Sequence, residues 1–88
     1  MPKEGKALVG YQVAALYRNY VGEPAWFDAV VVDHLRRVYN RGTSDAYRLY
    51  FEEESFDDWY TLPDDTVIFR ESKVSGRALA AAKAACSD

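Results

Sequence analysis

Between residues 9 and 70 the chain is cut into short runs of β-type residues, each closed by turn residues. That punctuation is the strongest constraint on the fold. The first run covers residues 9–17, where Tyr11, Val13, Ala15 and Tyr17 share one face at period two. NYVGEP, residues 19–24, is a turn by its Asn, Gly and Pro. The second run, WFDAVVVD at 26–33, holds three consecutive valines, whose branched side chains favour a pleated surface over a helix. HLRRVYNRGTSDA, residues 34–46, is read as a long connection, turn-like at 40–45. Leu35, Val38 and Tyr39 are candidates to extend the flanking strands, and a helical turn at 34–39 is left open. A third strand is expected at 47–52, an acidic turn at 53–56 and a fourth strand near 58–62. After the break at Pro63-Asp64-Asp65, a fifth strand is expected at 66–70. Five short strands with tight turns predict a mainly β fold, a small five-stranded curled barrel whose closure limits exposed edges.

The ends differ in kind. Residues 1–8 are read as a loose N-terminus and 9–71 as the barrel. Residues 75–88 are read as a short Ala-rich helix or frayed tail, because alanine is the best helix former but a helix this short is marginal alone. An 88-residue chain is one domain with a modest core. It carries thirteen aromatic residues, more than so small a core can hide, so some are expected on a surface.

Net charge is −3, against a general nucleic-acid binder and in favour of a basic partner. Acids gather at Glu52, Glu53, Glu54, Asp57 and Asp58, and basic residues just before them at Arg36, Arg37, Arg41 and Arg48. The single cysteine, Cys86, forms no disulfide within the chain, which points to a reducing compartment. No run is apolar and long enough to span a membrane, and the N-terminus lacks the apolar core of a secretory signal. His34 is the only histidine, so no zinc site with N/S ligands is expected, and neither calcium-loop nor phosphate-loop spacing occurs. Cys86 has no visible base beside it. An enzyme, a metal and a cofactor are therefore not expected.

The order of these segments resembles the Tudor domain and its relative the chromo barrel, SH3-like members of the Royal superfamily. Gly10, Val13, Ala15 and Tyr17 resemble the opening strand, and Trp26, Phe27, Ala29, Val30 and Val31 the second. Tyr47 to Phe56, YRLYFEEESF, resembles the third strand and its acidic turn. Asp57-Asp58-Trp59 is similar to the Asp-Glu-Trp of chromo barrels in histone acetyltransferase and deacetylase complexes, and LPDDTV at 62–67 resembles the closing turn. Plant-type Agenet modules are a further relative. The connection at 34–46 is longer than in most Tudor domains.

The resemblance implies an aromatic cage for methylated lysine or methylated arginine. By position its walls are Tyr17, Phe27, Phe51 and Phe56, with Trp26 as substitute for Phe27, and Glu53, Glu54 or Asp58 supplies an acidic rim. A methylated ammonium keeps its charge while shedding water, and each aromatic face it meets contributes about 0.5–1 kcal/mol exposed or about 2 desolvated. A rim carboxylate favours lower methylation states, because it accepts an N–H that the fully methylated group lacks. Binding is expected in the micromolar range, about −8 kcal/mol or weaker. The resemblance further implies a nuclear, chromatin-associated module with a methylated histone tail and subunits of a chromatin-modifying complex as partners. Two alternatives stand beside it. Arg36, Arg37 and Arg41, with Arg48 and Tyr39, could touch nucleic-acid phosphates and stack on a base. Alternatively, since aromatic residues at strand spacing usually pack inside, the domain is a cage-less protein-interaction scaffold.

Overall fold

The computed structural model describes residues 5–86; the two ends, 1–4 and 87–88, lie outside it. Five strands, β1 (Tyr11–Arg18), β2 (Pro24–Tyr39), β3 (Gly42–Phe51), β4 (Phe56–Thr61) and β5 (Val67–Lys73), precede one helix, α1 (Gly76–Ala85). All strand pairs are antiparallel, in the order β4-β3-β2-β1-β5. The chain thus runs as a four-strand meander and returns with β5 beside β1. The result is a mainly β, small barrel-like domain, as the punctuation of the sequence predicts.

Period-two alternation selects the inner face. Val13 and Ala15 of β1, Ala29 and Val31 of β2, Tyr47, Leu49 and Phe51 of β3, and Val67 of β5 form one buried cluster with Leu8. Burying each of the larger side chains contributes about 1.5–3 kcal/mol. Alternation breaks once in the valine run. The β2–β3 register shifts between Val31 and Asp33, which inserts Val32 as a bulge. Val31 and Val32 are both fully buried. Val31 joins the inner cluster, whereas Val32 lies beside Asp33, Arg48, Lys83 and Cys86, where α1 packs on β2. Cover on both sides is what lets consecutive residues stay apolar, and the bulge bends β2 so that the sheet curls. A second irregularity joins β1 to β5. Gln12 stands opposite the stretch Arg70, Glu71 and Ser72, with Glu71 at φ +60°.

The segment 34–46 is not a long connection, and 34–39 is not helical. β2 runs on to Tyr39, β3 begins at Gly42, and only Asn40 and Arg41 join them. Gly42 has φ +144°, a backbone value that side-chain-bearing residues rarely take. The sequence hid this ribbon because much of it has no buried face. Arg36, Arg37 and Val38 pair with Asp45, Ser44 and Thr43, and without a core side no apolar alternation marks the strands. Its base is held by charge. The Arg36 guanidinium reaches both carboxylate oxygens of Asp45, at 2.8 and 3.2 Å, and His34 Nε2 lies 2.8 Å from one of them. The His34 ring packs on Tyr47, centroids 5.1 Å apart.

Both ends of the described stretch pack onto the sheet. Gly5–Leu8 form a 3-10 turn, with Leu8 buried and the Gly5 amide donating to the Tyr47 hydroxyl. At the other end Ser75 caps α1, its Oγ accepting from the Ala78 amide at 3.1 Å. Leu79 approaches Gly10, and the Val74 amide donates to the Gly10 carbonyl.

Hydrogen bonds from Arg36 first, then His34, hold the Asp45 carboxyl at about 2, below its ordinary 3.8. Its stabilising effect is therefore complete above pH ~4 and is lost as pH falls through about 2. Urea unfolding of the wild type and Asp45→Asn should show a gap in midpoint at pH 6 that closes toward pH 2; a gap independent of pH contradicts this coupling.

Candidate ligand-binding hollow

Antiparallel pairing returns the β1–β2 turn and the β3–β4 turn to the same end of the barrel. Tyr17 closes β1, Phe27 sits near the start of β2, Phe51 ends β3 and Phe56 opens β4. Phe27 is the register partner of Ala15, two residues from Tyr17, and Phe51 is the partner of Phe56. All four side chains thus point to the inner face. Their rings meet: Tyr17 lies 6.4 Å from Phe27, 5.7 Å from Phe51 and 6.4 Å from Phe56, centroid to centroid, and Phe51 lies 5.8 Å from Phe56. With Tyr20 and Glu54 they line an open cavity of about 610 Å³, to which Arg18 and Asn19 also contribute.

The four rings are not equivalent. Phe51 is 1% exposed and Phe56 45%. Phe51 is therefore the floor, shared with the core, while Tyr17 and Phe27 are half-buried flanks and Phe56 stands at the rim. The Tyr17 ring is braced from behind. The Tyr60 hydroxyl donates to the Tyr17 hydroxyl, and the two rings meet edge to face at 6.4 Å. Burial, and then that hydrogen bond, pushes the Tyr60 hydroxyl above its ordinary pKa, so it stays neutral. The short turn between Phe51 and Phe56 closes with the Ser55 amide donating to the Glu52 carbonyl, Ser55 at φ +51°.

Trp26 does not belong to the hollow. Adjacent to Phe27 on one strand, it faces the opposite side of the sheet, 48% exposed, opposite Leu16. The three rim acids also separate. Glu54 borders the hollow, but Glu53 borders a different cleft, of about 360 Å³, which Asp28 and Arg70 also line. Asp58 shares the inner face of β4 with Phe56 and Tyr60, but its Oδ1 accepts from the Trp59 amide, and it does not line the cavity. Besides Arg18 and Asn19 of the turn, two aromatic residues at the hollow lie outside the predicted cage. Tyr60 stands in period-two step with Phe56, because β4 begins at Phe56 and not near Asp58. Tyr20 carried no signal beyond being an aromatic in a turn.

The arginines do not gather into one basic loop. Arg36 and Arg37 are neighbours on a strand and so face opposite sides. Arg36 pairs with Asp45. Arg48 pairs with Asp57 at 2.7 Å and lies over the Trp59 ring at 5.8 Å. Arg37 and Arg41 are exposed. Among the described residues no group of three or more His, Cys, Asp or Glu could hold a metal ion, and no helix is long and apolar enough to cross a membrane. Burial pushes the Cys86 thiol above its ordinary pKa.

The floor and the rim should separate on mutation. Phe51→Ala should cost about 3–5 kcal/mol, as for other fully buried aromatic residues. Phe56→Ala, half solvated on an edge strand, should cost roughly 1–2 kcal/mol. Urea unfolding measures both, and equal losses contradict the assignment.

Set against protein-family models, curated proteins and solved structures, the chain gives no match, so the reading of this hollow stands on its own residues.

Proposed function

We propose that the domain is a non-catalytic reader that binds the methylated ammonium of a lysine on a basic, histone-like tail. It would serve a nuclear chromatin-associated protein or complex in this way. The observation that carries the reading is the convergence of Tyr17, Phe27, Phe51 and Phe56 on one solvent-open hollow with Glu54 at its edge. Tyr17 and Phe56 are nearly perpendicular, at 76°. A cation held within ~6 Å of an aromatic face in the hollow gains a cation–π contact, and each further face it meets adds to it.

Charge around the hollow favours the same ligand. Glu52, Glu53 and Glu54 occupy the turn, and Asp57 and Asp58 follow it. The one cation among the lining residues, Arg18, is engaged, with its Nη1 donating to the Gly22 carbonyl at 2.6 Å. An acidic turn steers a Lys/Arg-rich tail toward the hollow, raising the association rate more than the affinity. Glu54 offers an acceptor for the remaining N–H of a mono- or dimethylated lysine. The nucleic-acid alternative draws less support, because Arg36 and Arg48 already bridge to carboxylates.

A lysine-methylated histone peptide and its unmethylated twin, titrated against the labelled domain by NMR, test the reading. The methylated peptide should shift the aromatic signals of Tyr17, Phe27 and Phe56, with micromolar to millimolar affinity. Phe56→Ala should weaken it about 2- to 30-fold, the loss of one aromatic wall. Equal responses to both peptides would remove the basis of the proposal.

A further inference from the structure

Tyr20 is the most exposed large hydrophobic side chain among the described residues, at 99%, yet it borders the hollow. Among the described residues nothing packs on its ring, but its backbone is held firmly. The Asn19 amide donates to the Glu23 carbonyl at 2.8 Å, and the Gly22 amide to the Asn19 carbonyl at 2.9 Å. Asn19 Oδ1 accepts from the Val21 and Glu23 amides at 3.1 and 2.9 Å, and Arg18 clamps the turn through Gly22. A fixed backbone and an unpacked aromatic side chain leave one freedom, rotation about the side-chain torsions between staggered wells.

We propose that Tyr20 is a ligand-contacting residue that rotates over the mouth of the hollow and forms its outermost wall when an alkylated ammonium is bound. This rests on the reading of the hollow as a cation site. The rings supply a floor (Phe51), two flanks (Tyr17 and Phe27) and one rim (Phe56), and the β1–β2 turn lines the hollow beyond them through Arg18, Asn19 and Tyr20. Tyr20 is the aromatic residue of that turn. A ring left in water in the free protein gains contact with the methyl groups and removes solvent from the cation, which strengthens every other aromatic contact in the site. Closing after entry slows release without hindering arrival, so the effect falls on dissociation.

The probe is a short peptide carrying trimethyllysine, with the wild-type chain, Tyr20→Ala, Tyr20→Phe and Phe56→Ala. In the wild type, N-methyl protons should show NOEs to the Tyr20 ring as well as to Phe27 and Phe56. Tyr20→Ala should weaken binding about 2- to 30-fold, chiefly through faster release, while Tyr20→Phe, which keeps the face, should bind as the wild type does. If Phe56→Ala weakens the complex but Tyr20→Ala does not, and no Tyr20 NOE is seen, the cation site stands and the closing wall is refuted. If the wild type does not bind the peptide, both fall together. Tyr20 makes no packing contact to lose, so an unfolded variant is not expected, and the wild-type NOE decides the matter without any substitution.

Discussion

The antiparallel register is the constraint from which the rest of the molecule follows. Because side chains alternate strictly, the pairings Ala15–Phe27 and Phe51–Phe56 commit Tyr17, Phe27, Phe51 and Phe56 to one face. A slip of one residue in either hairpin would send one of these side chains to the other side of the sheet, where Trp26 already lies. The hollow is therefore a consequence of how two hairpins are joined, while the bulge at Val32 lets β2 bend with Val31 and Val32 both buried.

Different parts of this arrangement were legible in the sequence to different degrees. The period-two runs around Val13, Val31 and Leu49 marked the strands that bury one face, and Ser75 before an alanine-rich run marked the helix. The long β2–β3 ribbon was hidden because the ends of its strands pack on nothing. Asp45, Ser44 and Thr43 look like a loop when their only apolar neighbours are solvated, and it takes the Arg36–Asp45–His34 contacts to show them as a strand. The same physics explains the acids. Glu53, Glu54 and Asp58 are equivalent by composition, but each points a different way, and only backbone geometry assigns Glu54 to the hollow.

In the proposed reading, one aromatic cluster serves both the core and the ligand. Phe51 anchors the core and forms the floor, and Tyr60 holds the Tyr17 ring through its hydroxyl. Rings whose orientation is set by packing lose little entropy when a ligand arrives, so a shallow site can still bind. Phe56 and Tyr20, at the solvent side, contribute little to the core. That division, with a buried floor and half-buried flanks behind exposed rim groups, is what the proposed receptor requires.

The central claim is that the hollow recognises positive charge on an alkylated group and not merely its apolar surface. Calorimetric titration of two peptides tests it most directly. One carries trimethyllysine, and the other carries the neutral isostere in which a tert-butyl group replaces the trimethylammonium. The account predicts that the charged peptide binds at least tenfold tighter, about 1.4 kcal/mol. Equal or tighter binding of the neutral peptide would show an ordinary apolar pocket and contradict the account.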